Sequence, residues 1–474
     1  MTPEEFRAAA HDLVDWIADR RLNLEAQRVR PDVAPGDIAD ALPDAASEPA
    51  ESIDALMADF EGTVVPGITE VQHPMHFGWF PSNATLSAVL GDIATAGLGS
   101  LGISWESSPA LTEVEEVTVD WMRQLLGLSD GWKGVIQDTA STTCLVAMLA
   151  ARERATDHAQ ASTGVLGFGK RLTVYSTGEA HSSVRKAALL AGFASDDLRW
   201  IDVDPWTRDM QPDALAARIE QDVAEGAVPA IVVATCGSTG TTAFDPVPAV
   251  AEVCATHGIW LHIDAAMAGV AMMLPEQRHR FDGVERADSI SLNPHKWLGT
   301  SLDCSLMYLR DPDHLIRVMS TNPSYLRTTV EGEREPTQYR DWGIPLGRRF
   351  RALKLWYQLR LDDLEETRDR LRRDIANAEW LATQLEAMPD WDVVAPVRLQ
   401  TVCFRHRSSD LDDSVLSEHN LAIAQRINAS GEAFLSPSIL DDQWMLRVSV
   451  GVEATERRHL ERLLELLQNA ANPA

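Results

Sequence analysis

Lys296 stands in the run Ser291-Leu292-Asn293-Pro294-His295-Lys296-Trp297-Leu298-Gly299, directly after an apolar stretch that reads as a strand. The chain has five lysines (Lys133, Lys170, Lys186, Lys296 and Lys354), and Lys296 alone sits between a histidine and a tryptophan at such a strand end. An amine kept from water by aromatic neighbours is partly neutral, and a neutral amine condenses with an aldehyde to an imine. The competing reading is a buried lysine paired with a carboxylate.

Other strand ends carry groups that an aldehyde cofactor would use. Asp264 closes the apolar run Ile259-Trp260-Leu261-His262-Ile263 and is followed by Ala265-Ala266. A carboxylate there can hold a protonated pyridine nitrogen, and it can equally cap the next helix. Thr139-Ala140-Ser141-Thr142-Thr143 follows Val135-Ile136 and precedes a helix expected from near Leu145. Small hydroxyl residues at a helix N-terminus cradle phosphate or simply cap the helix. His181 follows the strand Leu172–Ser176 and opens another helix, where a histidine can stack on a planar ring, move a proton, or serve only as a cap. Gly237-Ser238-Thr239-Gly240-Thr241-Thr242 lets the backbone approach a ligand closely, or is a flexible turn. Each signal is modest alone. A phosphate cradle, a histidine, a carboxylate and a lysine on strand ends of one sheet form a set that a single pyridoxal phosphate (PLP) site would use. The run Gly164-Val165-Leu166-Gly167-Phe168-Gly169-Lys170 is no P-loop, because Arg171 stands where Ser or Thr is needed and the run precedes a strand.

The elements that must position these residues alternate. Helical segments are expected at Leu111–Leu126, Leu145–Arg154, Ser183–Ala191 and Val247–His257, with strands at Leu172–Ser176, Ala230–Ala234, Trp260–Ile263, Ser289–Leu292 and Ser305–Leu309. That alternation predicts an α/β domain with a mostly parallel sheet buried on both faces. An amphipathic helix is expected over residues 3–24 and a second over Ser52–Phe60, capped by Ser52. This N-terminal piece is too small to bury its apolar face alone and needs another body, such as a partner subunit. Beyond these, a long charged helix over Arg348–Met388, strands at Val393–Ala395, Thr401–Arg405 and Met445–Val450, and a helix over Thr455–Asn469 predict a smaller α+β domain.

With 71 acidic and 42 basic residues the net charge is −29, which opposes binding to nucleic acid or anionic membranes. Five scattered cysteines (Cys144, Cys236, Cys254, Cys304, Cys403) match neither a zinc site nor a disulfide framework and read as core thiols of a reduced, cytoplasmic protein. There is no secretory pattern at Met1-Thr2-Pro3-Glu4-Glu5, no apolar run as long as a membrane span, and no metal site.

The chain resembles the group II PLP-dependent decarboxylases and is most similar to the aromatic-L-amino-acid decarboxylases. The resemblance rests on Asn293-Pro294-His295-Lys296-Trp297, His262-Ile263-Asp264-Ala265-Ala266, Ala180-His181-Ser182-Ser183-Val184 and Ile344-Pro345-Leu346-Gly347-Arg348-Arg349-Phe350, with Phe80-Pro81 to Ser104-Trp105 and Ser108-Pro109-Ala110. It covers nearly the whole chain. It implies PLP fold type I with a seven-stranded sheet and an intertwined homodimer. The implied spans are residues 1–78 as an exchanged N-terminal helical flap, 79–353 as the large PLP-binding domain and 354–474 as the small α+β domain. Lys296 would hold the cofactor as an imine, Asp264 its ring nitrogen, His181 one ring face and Ala266 the other. Ala140 and Ser141 would bind phosphate, helped by Asn293 and His295, with Thr239 beside the cofactor. Tyr325, in a segment over Ser320–Tyr339 whose Pro323, Gly332 and Pro336 suggest mobility, would reprotonate the substrate carbon. Trp79, Phe80, Pro81, Ser82, Ile103 and Gly347 would line the substrate pocket.

The implied reaction is α-decarboxylation of an aromatic L-amino acid (tryptophan, 5-hydroxytryptophan, dopa, tyrosine or phenylalanine) to the amine and CO2. The alternatives are a PLP aldehyde synthase acting on the same substrates and a catalytically idle scaffold. In the resembling family, aldehyde formation accompanies Phe at the position of Tyr325 or a changed His181, and both are retained here. Departures occur at Thr139–Thr143, where many relatives carry Ser-Ala-Ser-Glu-Ala, and at Trp79 and Ile103, where animal relatives carry Tyr and Phe. Glycine at position 347 goes with indolic substrates in plant relatives, serine with phenolic ones.

Overall fold

The computed structural model describes residues 1–46, 48–321, 336–407 and 412–472, without the side chains of residues 160–161, 165–166 and 413–414. The chain divides into two compact units. The larger, Ser82–Glu379 with Val394–Val402, is built on seven strands: β1 Lys133–Gln137, β2 Leu172–Thr177, β3 Leu198–Ile201, β4 Val228–Thr235, β5 Trp260–Asp264, β6 Ser289–Leu292 and β7 Ser305–Leu309. Their order is β1-β7-β6-β5-β4-β2-β3. Strands β3, β2, β4, β5 and β6 run parallel, while β7 is antiparallel to both β6 and β1. Every residue of β2, β5, β6 and β7 is buried, including the serines and threonines of β2 and β6, so burial on both faces does not show in their residue alternation. The helix Ala140–Ala155 buries Cys144, Val146, Ala147, Met148, Ala150 and Ala151, small enough on several sides to lie close on the sheet.

The smaller unit comprises Met1–Pro81, Trp380–Val393 and Cys403–Ala474. It holds a second sheet in the order β10-β11-β9-β8, from Trp391–Val393 (β8), Thr401–His406 (β9), Ser438–Leu440 (β10) and Gln443–Ser449 (β11). Its first helix, Pro3–Leu22, is set by a capping box between Thr2 and Glu5 with proline at the first helical turn. That helix buries none of its residues.

Three differences from expectation have local causes. The long charged helix is two, Ala352–Leu361 and Leu364–Ala387, because Asp363 Oδ1 accepts the amides of Glu365 and Glu366 and caps a new start. The helix after β1 begins at Ala140, five positions before Leu145, because Thr139 is extended at the cap position (φ −136°, ψ 162°). Strand β3 was not expected. It is an outer strand with only its end residues buried, so it lacks a continuous apolar run.

Candidate active site

Parallel strands deliver their C-terminal ends to one edge of the sheet, where α/β proteins bind ligands. Thr235 of β4 pairs with Asp264 of β5, which pairs with Ser291 of β6. Lys296 follows β6 by four residues, and His181 follows β2 by four. Through β7, Leu292 lies opposite Leu306 and Gln137 opposite Ser305, so β1 ends at this same edge and the helix Ala140–Ala155 starts there. The architecture thus brings Lys296, Asp264, His181, Ala140 and Ser141 to one end of the sheet.

The groups there are held by hydrogen bonds to backbone. Asp264 is buried, and its Oδ1 accepts the amide of Ala266 at 3.0 Å, fixing the carboxylate plane. The Ala266 carbonyl accepts the Asn293 amide at 2.9 Å, and Asn293 Oδ1 accepts the Ser305 hydroxyl at 2.6 Å, joining the segments after β5 and β6. The Ser183 amide donates to His181 Nδ1 at 3.2 Å. Nδ1 is therefore an acceptor, and a neutral ring carries its proton on Nε2. Burial lowers the His181 imidazole below its ordinary value; Asp264 opposes that shift and Lys296 adds to it. His295 is pushed down to about 4, by burial first and then by Lys296, and its Nδ1 accepts the Cys304 amide at 2.9 Å.

The amides of Ala140 and Ser141 are the first of their helix and have no acceptor within it. Ala140 is partly buried and Ser141 exposed. Thr239 is exposed in the turn after β4, which Ser238 ties back through its hydroxyl to the Ala243 amide at 3.0 Å. Gly237 in that turn has φ +89°, and a Cβ there would lie 2.5 Å from Ala268 Cβ. Among the described residues, the buried hydroxyls of Thr235 and Thr242 have no hydrogen-bond partner.

Ile103 and Gly347 flank an antiparallel bridge in which Gly102 and Arg348 exchange two N–H···O bonds of 3.0 Å. Arg348 is anchored from below. Its Nη1 and Nη2 donate to Glu115 at 3.0 and 2.6 Å, and Nη2 also donates to the Ile136 carbonyl at 2.7 Å. Ser82 is in the same unit and partly buried. Trp79, Phe80 and Pro81 belong to the smaller unit. There Trp79 has φ +49°, its amide donates to Ser436 Oγ at 2.7 Å, and its ring lies 5.0 Å from that of Phe434. Phe80 lies under the Arg447 guanidinium at 4.5 Å, and Pro81 is buried. Tyr325 and residues 322–335 around it lie outside the described residues. Glu115 was not singled out from sequence: it is one acidic residue in an amphipathic helix, and its partner is 233 positions away.

This donor set fits pyridoxal phosphate. Helix-start amides suit a phosphate, a fixed buried carboxylate suits a pyridinium, and the lysine lies four residues beyond the strand beside that carboxylate's own. The buried hydroxyl of Thr235, paired in register with Asp264, is a further donor with nothing of its own to bond.

Comparison with known proteins agrees with this chemistry. Residues 35–407 match the profile of the pyridoxal-dependent decarboxylase conserved domain. The chain is 36% identical to tryptophan decarboxylase 2 of Oryza sativa subsp. japonica, covering 99% of this chain and 95% of that protein. It is also 36% identical to a phenylacetaldehyde synthase of Arabidopsis thaliana, covering 100% and 97%. The crystal structure of Oryza sativa TDC with PLP and tryptamine superposes with a TM-score of 0.96 at 35% identity, covering 99% of this chain and 98% of that one. With a matching profile, full-length relatives and a site that fits the cofactor, the chain belongs to the pyridoxal-dependent decarboxylases and has their fold type I.

Proposed function

We propose that this enzyme converts an aromatic L-amino acid, with an indolic one preferred, to its amine and CO2. The observation that carries this reading is that the sheet delivers Lys296, Asp264, His181 and the helix start at Ala140 to one and the same end. PLP, when bound, supplies the electron sink that makes loss of the carboxylate possible. In this reading the amides of Ala140 and Ser141 would take the phosphate, supported by Asn293 and His295, and Thr239 would lie beside the cofactor and Lys296. Asp264 keeps a proton on the ring nitrogen. His181 and Ala266 sandwich the ring, with the fixed Nδ1 of His181 leaving Nε2 to donate. Lys296 would hold the cofactor and, as an amine freed by the substrate, would assist product release. Tyr325 delivers the proton to Cα. Ile103, Gly347 and Ser82 of the larger unit shape the side-chain pocket.

The preference for indoles rests on Gly347, where a Cβ would already lie 3.3 Å from Leu101 Cδ1, and on the tryptophan decarboxylase relative. A second reading, aldehyde synthesis, draws on the similarly close phenylacetaldehyde synthase. Retention of His181 and Tyr325 favours the amine. An idle scaffold would have no need for Lys296, Asp264 and His181 together.

The proposal includes a homodimer with residues 1–78 exchanged as a flap, 79–353 as the cofactor domain and 354–474 as the small domain. Leu86, Leu90 and Ile93 form an exposed apolar stripe at helical spacing on Leu86–Leu98, and Phe6, Leu13, Val14 and Leu22 are exposed on the first helix. A second copy would cover both. The five buried free thiols suit the cytoplasm, and among the described residues no helix is long and apolar enough to cross a membrane.

The test is reduction of the holoenzyme with borohydride, then digestion and peptide mass spectrometry. The pyridoxyl mass should sit on the Lys296 peptide; its appearance on another lysine would refute the assignment.

A further inference from the structure

We propose that Asp374 is a positioning residue for Lys296, acting through the indole of Trp297. The proposal rests on the reading of Lys296 as the cofactor-bearing lysine. Trp297 directly follows that lysine, is fully buried, and donates its indole N–H to Asp374 Oδ2 at 2.9 Å. Asp374 lies on the helix Leu364–Ala387 and is itself fully buried.

A buried carboxylate is a costly way to hold one indole. Its other oxygen, Oδ1, has no hydrogen bond among the described residues; Arg373 Nε lies 3.8 Å from it, and Arg370 is a further positive charge acting on the carboxyl group. An apolar side chain in its place would avoid that desolvation. What the carboxylate supplies is a direction: a single acceptor that fixes the rotation of the largest side chain beside Lys296.

The neighbouring contacts point the same way. The Leu298 carbonyl accepts from Arg370 at 2.8 Å and from Gln358 at 3.0 Å, so the two residues after Lys296 are both tied to side chains from helices behind the loop. On the other side the Lys296 amide donates to the Asn293 carbonyl at 3.0 Å, and His295 is tied to Cys304. The lysine backbone is thus clamped before and after. The Trp297–Asp374 bond ties the residue that directly follows Lys296, and neither Trp297 nor Asp374 is among the residues placed against the cofactor.

Three variants test this. Asp374→Asn keeps an acceptor, Asp374→Leu removes it at similar volume, and Trp297→Phe removes only the donor. In the cofactor-free protein, lysines are labelled by reductive methylation and read by peptide mass spectrometry, with the exposed Lys186 as internal reference. PLP affinity is measured separately by titration. Asp374→Leu and Trp297→Phe should raise Lys296 labelling relative to Lys186 by about threefold and weaken PLP binding by about tenfold, the scale of one lost buried hydrogen bond. Asp374→Asn should stay near wild type in both. If Asp374→Leu fails to fold, Trp297→Phe decides. Variants that lower the melting temperature but leave labelling and affinity unchanged would make Asp374 merely structural and overturn the proposal. So would an Asn variant indistinguishable from Leu. Failure of the parent reading is separate: borohydride mapping of the wild type would then place the pyridoxyl group on another lysine.

Discussion

Replacing Glu115 with glutamine should loosen the substrate segment and destabilise the larger unit. Glu115 has no side-chain exposure and Arg348 only 6%. The carboxylate accepts three N–H groups, two from Arg348 at 3.0 and 2.6 Å and the Ile136 amide at 2.9 Å. Glutamine retains one oxygen, so one end of the fork keeps an acceptor while the other meets an NH2 group, and the guanidinium stays buried without its counter-charge. Breaking a buried pair from one side costs about 3–5 kcal/mol, and the retained acceptor places this variant near about 3 kcal/mol. At roughly 2 °C per kcal/mol for a large domain, the melting midpoint should fall by about 6 °C. Because Arg348 bridges Gly102 beside Ile103 and Gly347, KM for the amino acid should rise by about fivefold. Calorimetry and steady-state kinetics on the same preparations read both. Removing both charges with Glu115→Leu and Arg348→Met should recover only part of the melting temperature and none of the KM, since the Ile136 amide loses its acceptor with the carboxylate and the Ile136 carbonyl its donor with the guanidinium. A Glu115→Gln enzyme with unchanged melting point and unchanged KM would refute the claim that this pair holds the segment.

Tyr325→Phe should shift products under air from amine towards aldehyde, ammonia and peroxide; equal amine yield under air and argon would assign the proton to another group. Gly347→Ser should move preference from indolic towards phenolic substrates by about tenfold in kcat/KM, the scale of one small pocket contact, as read by competition assays with tryptophan and tyrosine. Burial, with Asp209 and Glu179 nearby, raises Asp245 from its ordinary 3.8 to about 7 even though it accepts the amides of Thr235 and Met210, each at 2.7 Å. A carboxylate raised on folding favours the folded state when protonated, so its contribution falls as pH rises from about 4 to about 7 and is flat above. The total change is on the order of 4 kcal/mol. Chemical denaturation across that range should show a shallower slope for Asp245→Asn than for wild type, and identical slopes would contradict the assignment.

The chemistry of this chain was more legible than its scaffolding. Lys296 and His181 each follow, and Asp264 closes, a short and otherwise uncharged strand that is buried along its whole length, and a charged or titratable residue at or just beyond the end of such a segment stands out from its surroundings. Strand β3 did not stand out, since Arg199 and Trp200 between its buried ends break the run. The split at Asp362-Asp363 was hidden because aspartate can cap a helix as effectively as glycine or proline breaks one, yet here it sits in a charged helix where one more acid is unremarkable. The reversal of β7 between β6 and β1 is a matter of topology that no local pattern encodes. Glu115–Arg348 and Trp297–Asp374 were invisible for the same reason: their partners lie 233 and 77 positions apart, and only the folded chain brings them together.

The most direct test of the central claim is product stoichiometry. Purified enzyme loaded with PLP should be given tryptophan, 5-hydroxytryptophan, dopa, tyrosine and phenylalanine singly, with CO2, amine, aldehyde and peroxide quantified together by mass spectrometry and a peroxide assay. The account predicts CO2 and amine in equal amounts, the highest turnover on an indolic substrate, and negligible peroxide. CO2 accompanied by aldehyde and peroxide instead of amine, or no turnover of any aromatic amino acid by enzyme whose Lys296 carries the cofactor, would contradict it.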